Sequence, residues 1–146
     1  MTLSLQEISD RLEINDLLTA YSHAIDFRNW DALDEVFTPD AHIDYSEMGG
    51  SAGSVAETKQ FLIDNMKNFA LFQHMVSTTK LEFDGPDSAH GKTICHNPMV
   101  IDKGEGKPPH VFICGLWYRD VFVRTDAGWR IKDRYEEKGF FYNFDG

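Results

Sequence analysis

Apolar residues in the first third of the chain recur every three or four positions. Ile14, Leu17, Leu18, Tyr21 and Ile25 fall on one side of a helix, with polar residues between them. Ile8 and Leu12 extend that helix backwards. A second, shorter helix is predicted over 30–37, with Asn29 as N-cap, Leu33, Val36 and Phe37 turned inward, and Thr38-Pro39-Asp40 ending it. Residues 41–45 read as a short strand and 48–53 as a Gly/Ser loop. Ser54 followed by Glu57 has the spacing of a capping box, in which each side chain takes up a backbone N–H left free at a helix start. A third helix therefore begins at Ser54, with Val55, Thr58, Phe61, Leu62, Asn65, Met66 and Phe69 on its apolar side.

From residue 71 onward the texture changes. Residues 71–83, 89–101, 111–124 and 128–141 are rich in β-branched and aromatic side chains and are separated by turn-forming Gly, Pro and Asp clusters. Neighbouring strands joined by short turns pair antiparallel. Helices followed by a strand meander indicate an α+β fold, a bent sheet packed on a helical layer. Residues 111–123 are apolar on both faces, so alternation does not say which of their side chains point inward.

Length sets this pattern in one domain, 1–146. The net charge of −10, from 24 acidic and 14 basic residues, repels phosphate backbones and anionic membrane surfaces, so neither nucleic acid nor membrane is expected as a partner. No apolar run approaches the roughly 18 residues that span a bilayer, and residues 1–12 lack the charged-then-apolar order of a secretory signal. Cys95 and Cys114 make no disulfide framework, which points to free thiols and a cytoplasmic protein. The aromatic share, 13%, suits a large core or a cavity for a flat apolar ligand.

The candidate chemistry is sparse. No H-E-x-x-H or H-x-H and no Cys pair at ligand spacing occurs, so no metal is expected. The G-x-S-x-G, G-x-x-x-x-G-K-[ST] and G-x-G-x-x-G patterns are missing too, which leaves neither a serine nucleophile of that type nor a phosphate or dinucleotide cradle, and no cofactor is expected. Among six histidines, His74 and His96 sit in apolar strand segments. Asp26 ends the first helix, where the macrodipole disfavours a carboxylate. An Asp beside a His sets the imidazole tautomer and stabilises its cation, but Asp26 and His74 are 48 residues apart and spacing alone does not join them.

The run Tyr21-x4-Asp26-x3-Trp30-Asp31-x-Leu33-x2-Val36-Phe37-x-Pro39-Asp40-Ala41-x2-Asp44-Tyr45, with the later Gly128-Trp129-Arg130-Ile131, resembles the NTF2-like superfamily and its SnoaL-like branch over nearly the whole chain. The resemblance implies a cone: a strongly curved, mainly antiparallel sheet wrapped round helices, with a deep pocket inside. Within the branch the chain looks most similar to scytalone dehydratase, hexachlorocyclohexane dehydrochlorinase and bile acid 7α-dehydratase, which use a paired Asp and His. Asp26 and His74 fall on those positions, and His74 precedes Leu81-Glu82-Phe83 at the dehydrochlorinase offset. The resemblance further implies active-site roles for Tyr21, Tyr45, His96 and Arg134. The chain departs from scytalone dehydratase at Ile25, and at Phe112 and Cys114, where that family has polar residues; this argues for a different substrate and a more apolar pocket.

These readings give a cofactor-free elimination, a dehydration of a hydrophobic, aromatic or polycyclic hydroxy-carbonyl compound. His74 is the expected base, Asp26 orients it, Tyr45 and Tyr21 polarise a substrate oxygen, His96 or the protonated His74 donates a proton to the departing hydroxyl, and Arg134 stabilises an anionic leaving group or closes the pocket. Phe69, Phe72, Cys114 and Trp117 are the expected substrate-binding residues. Relatives are commonly oligomeric, which implies a homodimer or homotrimer. The alternatives are a ketosteroid-isomerase-like or polyketide-cyclase-like enzyme, a limonene-type epoxide hydrolase, and a non-catalytic small-molecule binding module.

Overall fold

Helix α1 (Leu5–Asp26) starts where the Ser4 hydroxyl accepts the Glu7 N–H, in a computed structural model that describes residues 2–144. Its buried side carries Ile14, Leu17, Leu18, Tyr21, Ala24 and Ile25, as the periodicity predicts. The backward extension of the apolar stripe does not hold: Ile8 and Leu12 are 42% and 62% exposed, and Asp10 is the inward residue of that turn. Two residues to either side of Asp10 is about 200° round a helix, which turns both apolar side chains outward. The Asp10 carboxylate accepts from Trp129 Nε1 at 3.1 Å, Gln6 Nε2 at 3.0 Å and Arg124 Nη2 at 2.8 Å, and so ties the helix to the last hairpin.

The predicted second helix is shorter than expected. A 3-10 helix spans Trp30–Glu35 without a side-chain cap from Asn29, and strand β1 (Phe37–Asp44) begins where the helix was to end. Phe37 is already opposite Ile131 in a parallel ladder with the last strand. Pro39 has no N–H to give, and the ladder shifts register between Phe37 and His42, where a proline is tolerated. Strand β2 (Ala52–Gly53) pairs with β1, and helix α2 (Val55–Met66) starts with the capping box formed by Ser54 and Glu57.

Five strands follow: β3 (Leu71–Phe72), β4 (Met75–Gly85), β5 (Ser88–Ile101), β6 (His110–Thr125) and β7 (Gly128–Phe144). The sheet order is β2-β1-β7-β6-β5-β3, with β4 also on β5; every pairing is antiparallel except β1 with β7. This is a curled mixed sheet closed over the N-terminal helices, the α+β cone expected. The inward row on β5 is Thr93, Cys95, Asn97 and Met99, and on β6 it is Cys114, Leu116, Tyr118, Asp120 and Phe122. No helix among the described residues is long and apolar enough to cross a membrane.

One break in the sheet creates the site. The long strand predicted over 71–83 is interrupted at Gln73 and His74. The register is kept across the gap, with Phe72 opposite Met99 and Met75 opposite His96, so His74 falls opposite Asn97. Opposite Gln73, Pro98 of β5 has no N–H to donate, so the ladder keeps only the Gln73 N–H to Pro98 carbonyl bond there, and the His74 N–H donates to Asp26.

Candidate active site

The last residue of α1 and the gap between β3 and β4 meet at one hydrogen-bonded Asp–His pair. His74 Nδ1 lies 2.7 Å from Asp26 Oδ1, and the His74 backbone N–H donates to both carboxylate oxygens at 3.0 and 3.2 Å. Backbone and ring are thus fixed by the same carboxylate. The side chains are 7% and 19% exposed, so the pair is largely withdrawn from water without being sealed. With Asp26 accepting from Nδ1, the lone pair of the neutral ring is on Nε2, and the Asn97 amide N–H₂ lies 3.2 Å from it. The Asn97 oxygen is buried without a partner, so a turned amide would offer that oxygen to a protonated Nε2.

His74 and the Asn97 that touches its Nε2 both line a cavity of about 420 Å³. Apolar side chains dominate its lining: Ile25, Leu62, Met66, Phe69, Met99, Phe112, Leu116 and Phe141. The polar groups facing it include His74, Asn97, Tyr21, Tyr45 and Glu136. The Tyr21 and Tyr45 hydroxyls are 2.6 Å apart. One donates to the other, which leaves a single O–H free to donate onward. Burial pushes Tyr21 up to about 12 and Tyr45 well above the usual tyrosine value, so both act as neutral donors. Burial likewise pushes Cys95 and Cys114 up to about 12, which keeps both thiols protonated and poor nucleophiles. Among the described residues no cluster of His, Cys, Asp or Glu could hold a metal.

Of the other expected site residues, Tyr21, Tyr45, Phe69 and Cys114 line the cavity and four do not. His96 is exposed on the outer face of β5, edge-on to Phe140 at 5.8 Å, because strand alternation turns Cys95 and Asn97 inward. Trp117 sits on the outer face of β6 under the Lys92 ammonium, 4.6 Å from the ring centroid. Phe72 is buried behind His74, its ring 6.2 Å away, with the Arg28 guanidinium on its other contact at 4.7 Å. Arg134 is fully buried behind the cavity wall. Its Nε and Nη2 donate to Asp120 at 2.7 and 2.8 Å, and its guanidinium lies against the rings of Tyr21 and Tyr118 at 4.1 and 4.0 Å. Arg134 therefore supports Tyr21 and cannot close the pocket; its carboxylate partner is Asp120.

Sequence reasoning missed three residues here. Asn97 is one position from His96, and only the register reveals that it is the inward one. Glu136 follows Arg134 on the inward side of β7 and reaches the cavity that Arg134 does not. Arg28, at a positive φ of 56°, donates to the Phe69 carbonyl at 2.7 Å and straps the end of α1 to the segment entering β3.

On its other side the Asp–His pair borders a second, polar hollow of about 430 Å³ between α1 and β4, lined by Asn15, Thr19, Ser22, His23, Asp26, His74, Ser77, Thr78 and Thr79 among others.

Comparison with known proteins places the fold. An uncharacterized protein of Mycobacterium tuberculosis (strain H37Rv) is 51% identical over 138 residues, 94% of this chain and 91% of its own. The crystal structure of a type 3 hexachlorocyclohexane dehydrochlorinase from Novosphingobium barchaimii superposes with a TM-score of 0.82 at 19% identity, covering 97% of this chain and 94% of that one. A candidate scytalone dehydratase from Novosphingobium aromaticivorans gives 0.82 at 18% identity over 97% and 91%. At such identities these neighbours speak for the NTF2-like fold. The model of the SnoaL-like domain matches residues 6–135, and the chain belongs to that family.

Proposed function

We propose that the protein is a cofactor-independent lyase, a dehydratase of a hydrophobic hydroxy-carbonyl compound. The observation that carries this reading is the Asp26–His74 pair, which leaves Nε2 as the lone-pair nitrogen of a histidine that lines an apolar cavity. His74 removes a proton beside the carbonyl, Asp26 holds the ring and balances the imidazolium, and the free O–H of the Tyr21–Tyr45 pair donates to the carbonyl oxygen as it gains charge. The neighbours described as a dehydrochlorinase and a candidate dehydratase support elimination chemistry on this fold. The apolar lining supports an aromatic or polycyclic substrate. We place the enzyme in the cytoplasm and read it as a homodimer or homotrimer; the outward aromatics Phe140, Tyr142 and Phe144 support self-association.

The test is a panel of aromatic and polycyclic β-hydroxy ketones, followed by enone absorbance and by mass for the loss of water. Asp26→Asn and His74→Ala should each lower turnover by about 10²–10⁴-fold, the range of a lost general base. Full activity in both variants on a substrate the wild type converts would overturn the assignment. Turnover without a change of mass would move the protein to the isomerases.

A further inference from the structure

Glu136 is the unexplained ionisable group of the cavity. From β7 it lines the same hollow as His74, and among the described residues its carboxyl has no hydrogen-bond partner. A carboxylate placed so would be unpaired in apolar surroundings, which is costly; the neutral acid avoids that cost and keeps an O–H to donate. Most of the groups around it are neutral. Tyr118 lies opposite on β6, Cys114 lines the same cavity, and Tyr21, Tyr45 and Cys95 are neutral neighbours from α1, the end of β1 and β5. Asp44 adds like charge; Arg134 pulls the other way, with Nε and Nη2 held by Asp120 and Nη1 buried without a partner, and burial outweighs that pull. Burial is the dominant influence and pushes the carboxyl of the half-buried Glu136 up to about 8, which favours the neutral acid at neutral pH.

We propose that Glu136 is the acid of this site, donating its carboxyl proton to the hydroxyl that leaves the substrate. The proposal rests on the dehydratase reading above. In the step, His74 Nε2 takes the proton beside the carbonyl and the C–H electron pair becomes the new C=C bond. The C–O bond breaks with its pair on oxygen, and the Glu136 proton completes the water molecule. Histidine is left as the imidazolium and Glu136 as the carboxylate; a proton returning from one to the other through water resets both. The tyrosines are too weakly acidic for this task and serve the carbonyl oxygen instead. The acid expected at His96 is thereby relocated from the outer face to the cavity.

The experiment compares leaving groups in Glu136→Gln, which keeps shape and removes the acid. On a β-hydroxy ketone turned over by the wild type, kcat should fall about 10²-fold or more. On the matching β-acetoxy ketone, whose leaving group departs without protonation, kcat should stay within a few-fold. Equal losses on both substrates would overturn the proposal, since a merely structural role damages both alike. A second readout needs no substrate. Infrared difference spectra of wild type against Glu136→Gln should contain a protonated-carboxyl stretch below pH 8 that disappears well above it. Its absence at neutral pH would overturn the proposal even if the panel finds no substrate. Its presence without any turnover would uphold the neutral donor and place the failure in the dehydratase reading.

Discussion

A carboxyl that titrates near 8 in the fold and near 4.5 in the unfolded chain holds a proton that unfolding releases between those values. The native state binds more protons in that window, so Glu136 makes stability fall as pH rises from about 4.5 to about 8, with the loss complete above it. Glu136→Gln should therefore raise the melting temperature at pH 8.5, by the equivalent of about 1–3 kcal/mol, and should change it little at pH 5. Thermal melts of the two proteins across that range check the sign. Asp26 and His74 were legible as a pair only through resemblance, because no spacing rule joins residues 48 apart. Asn97 and Glu136 were not legible. Their visibility depends on knowing which face of β5 and β7 is inward, and that is decided by the register around Pro98 and by the shifts between β6 and β7.

The elements themselves were easier to read. The 3.6-residue period placed Ile14 to Ile25 correctly, and the Ser54 capping box located the start of α2, although Phe69, expected on its apolar side, lies beyond its end at Met66. The pattern failed where tertiary pairing won: Phe37 joins β7 instead of extending a helix, and Trp117 faces outward from a strand whose two faces are equally apolar. Bending at the end of the sheet depends on small residues that carry no periodic signal. A Cβ at Gly139 would lie 2.6 Å from the Gly115 carbonyl oxygen, and one at Gly115 would meet the Phe140 ring. A ring can swing aside, whereas a backbone carbonyl on a paired strand cannot. Gly139→Ala should thus cost more than Gly115→Ala, about 2–4 against about 1–2 kcal/mol, in denaturant titrations of the two variants.

At the scale of the whole molecule, the cone turns its chemistry inward and leaves a band of aromatics outside. Phe140, Tyr142 and Phe144 are 46%, 57% and 47% exposed. Light scattering should return two or three times the chain mass of 16.7 kDa, and Phe140→Asp with Tyr142→Asp should shift it towards one. A single mass that the double variant leaves unchanged would exclude this band as the interface.

The Asp26–His74 pair is also a partition, with an oily chamber on one side and a hydrophilic one on the other. Asp26 borders only the hydrophilic chamber, so its charge stays hydrated from that side while substrate or product fills the oily one. The carboxylate that steadies the base therefore never has to be stripped of water together with the substrate.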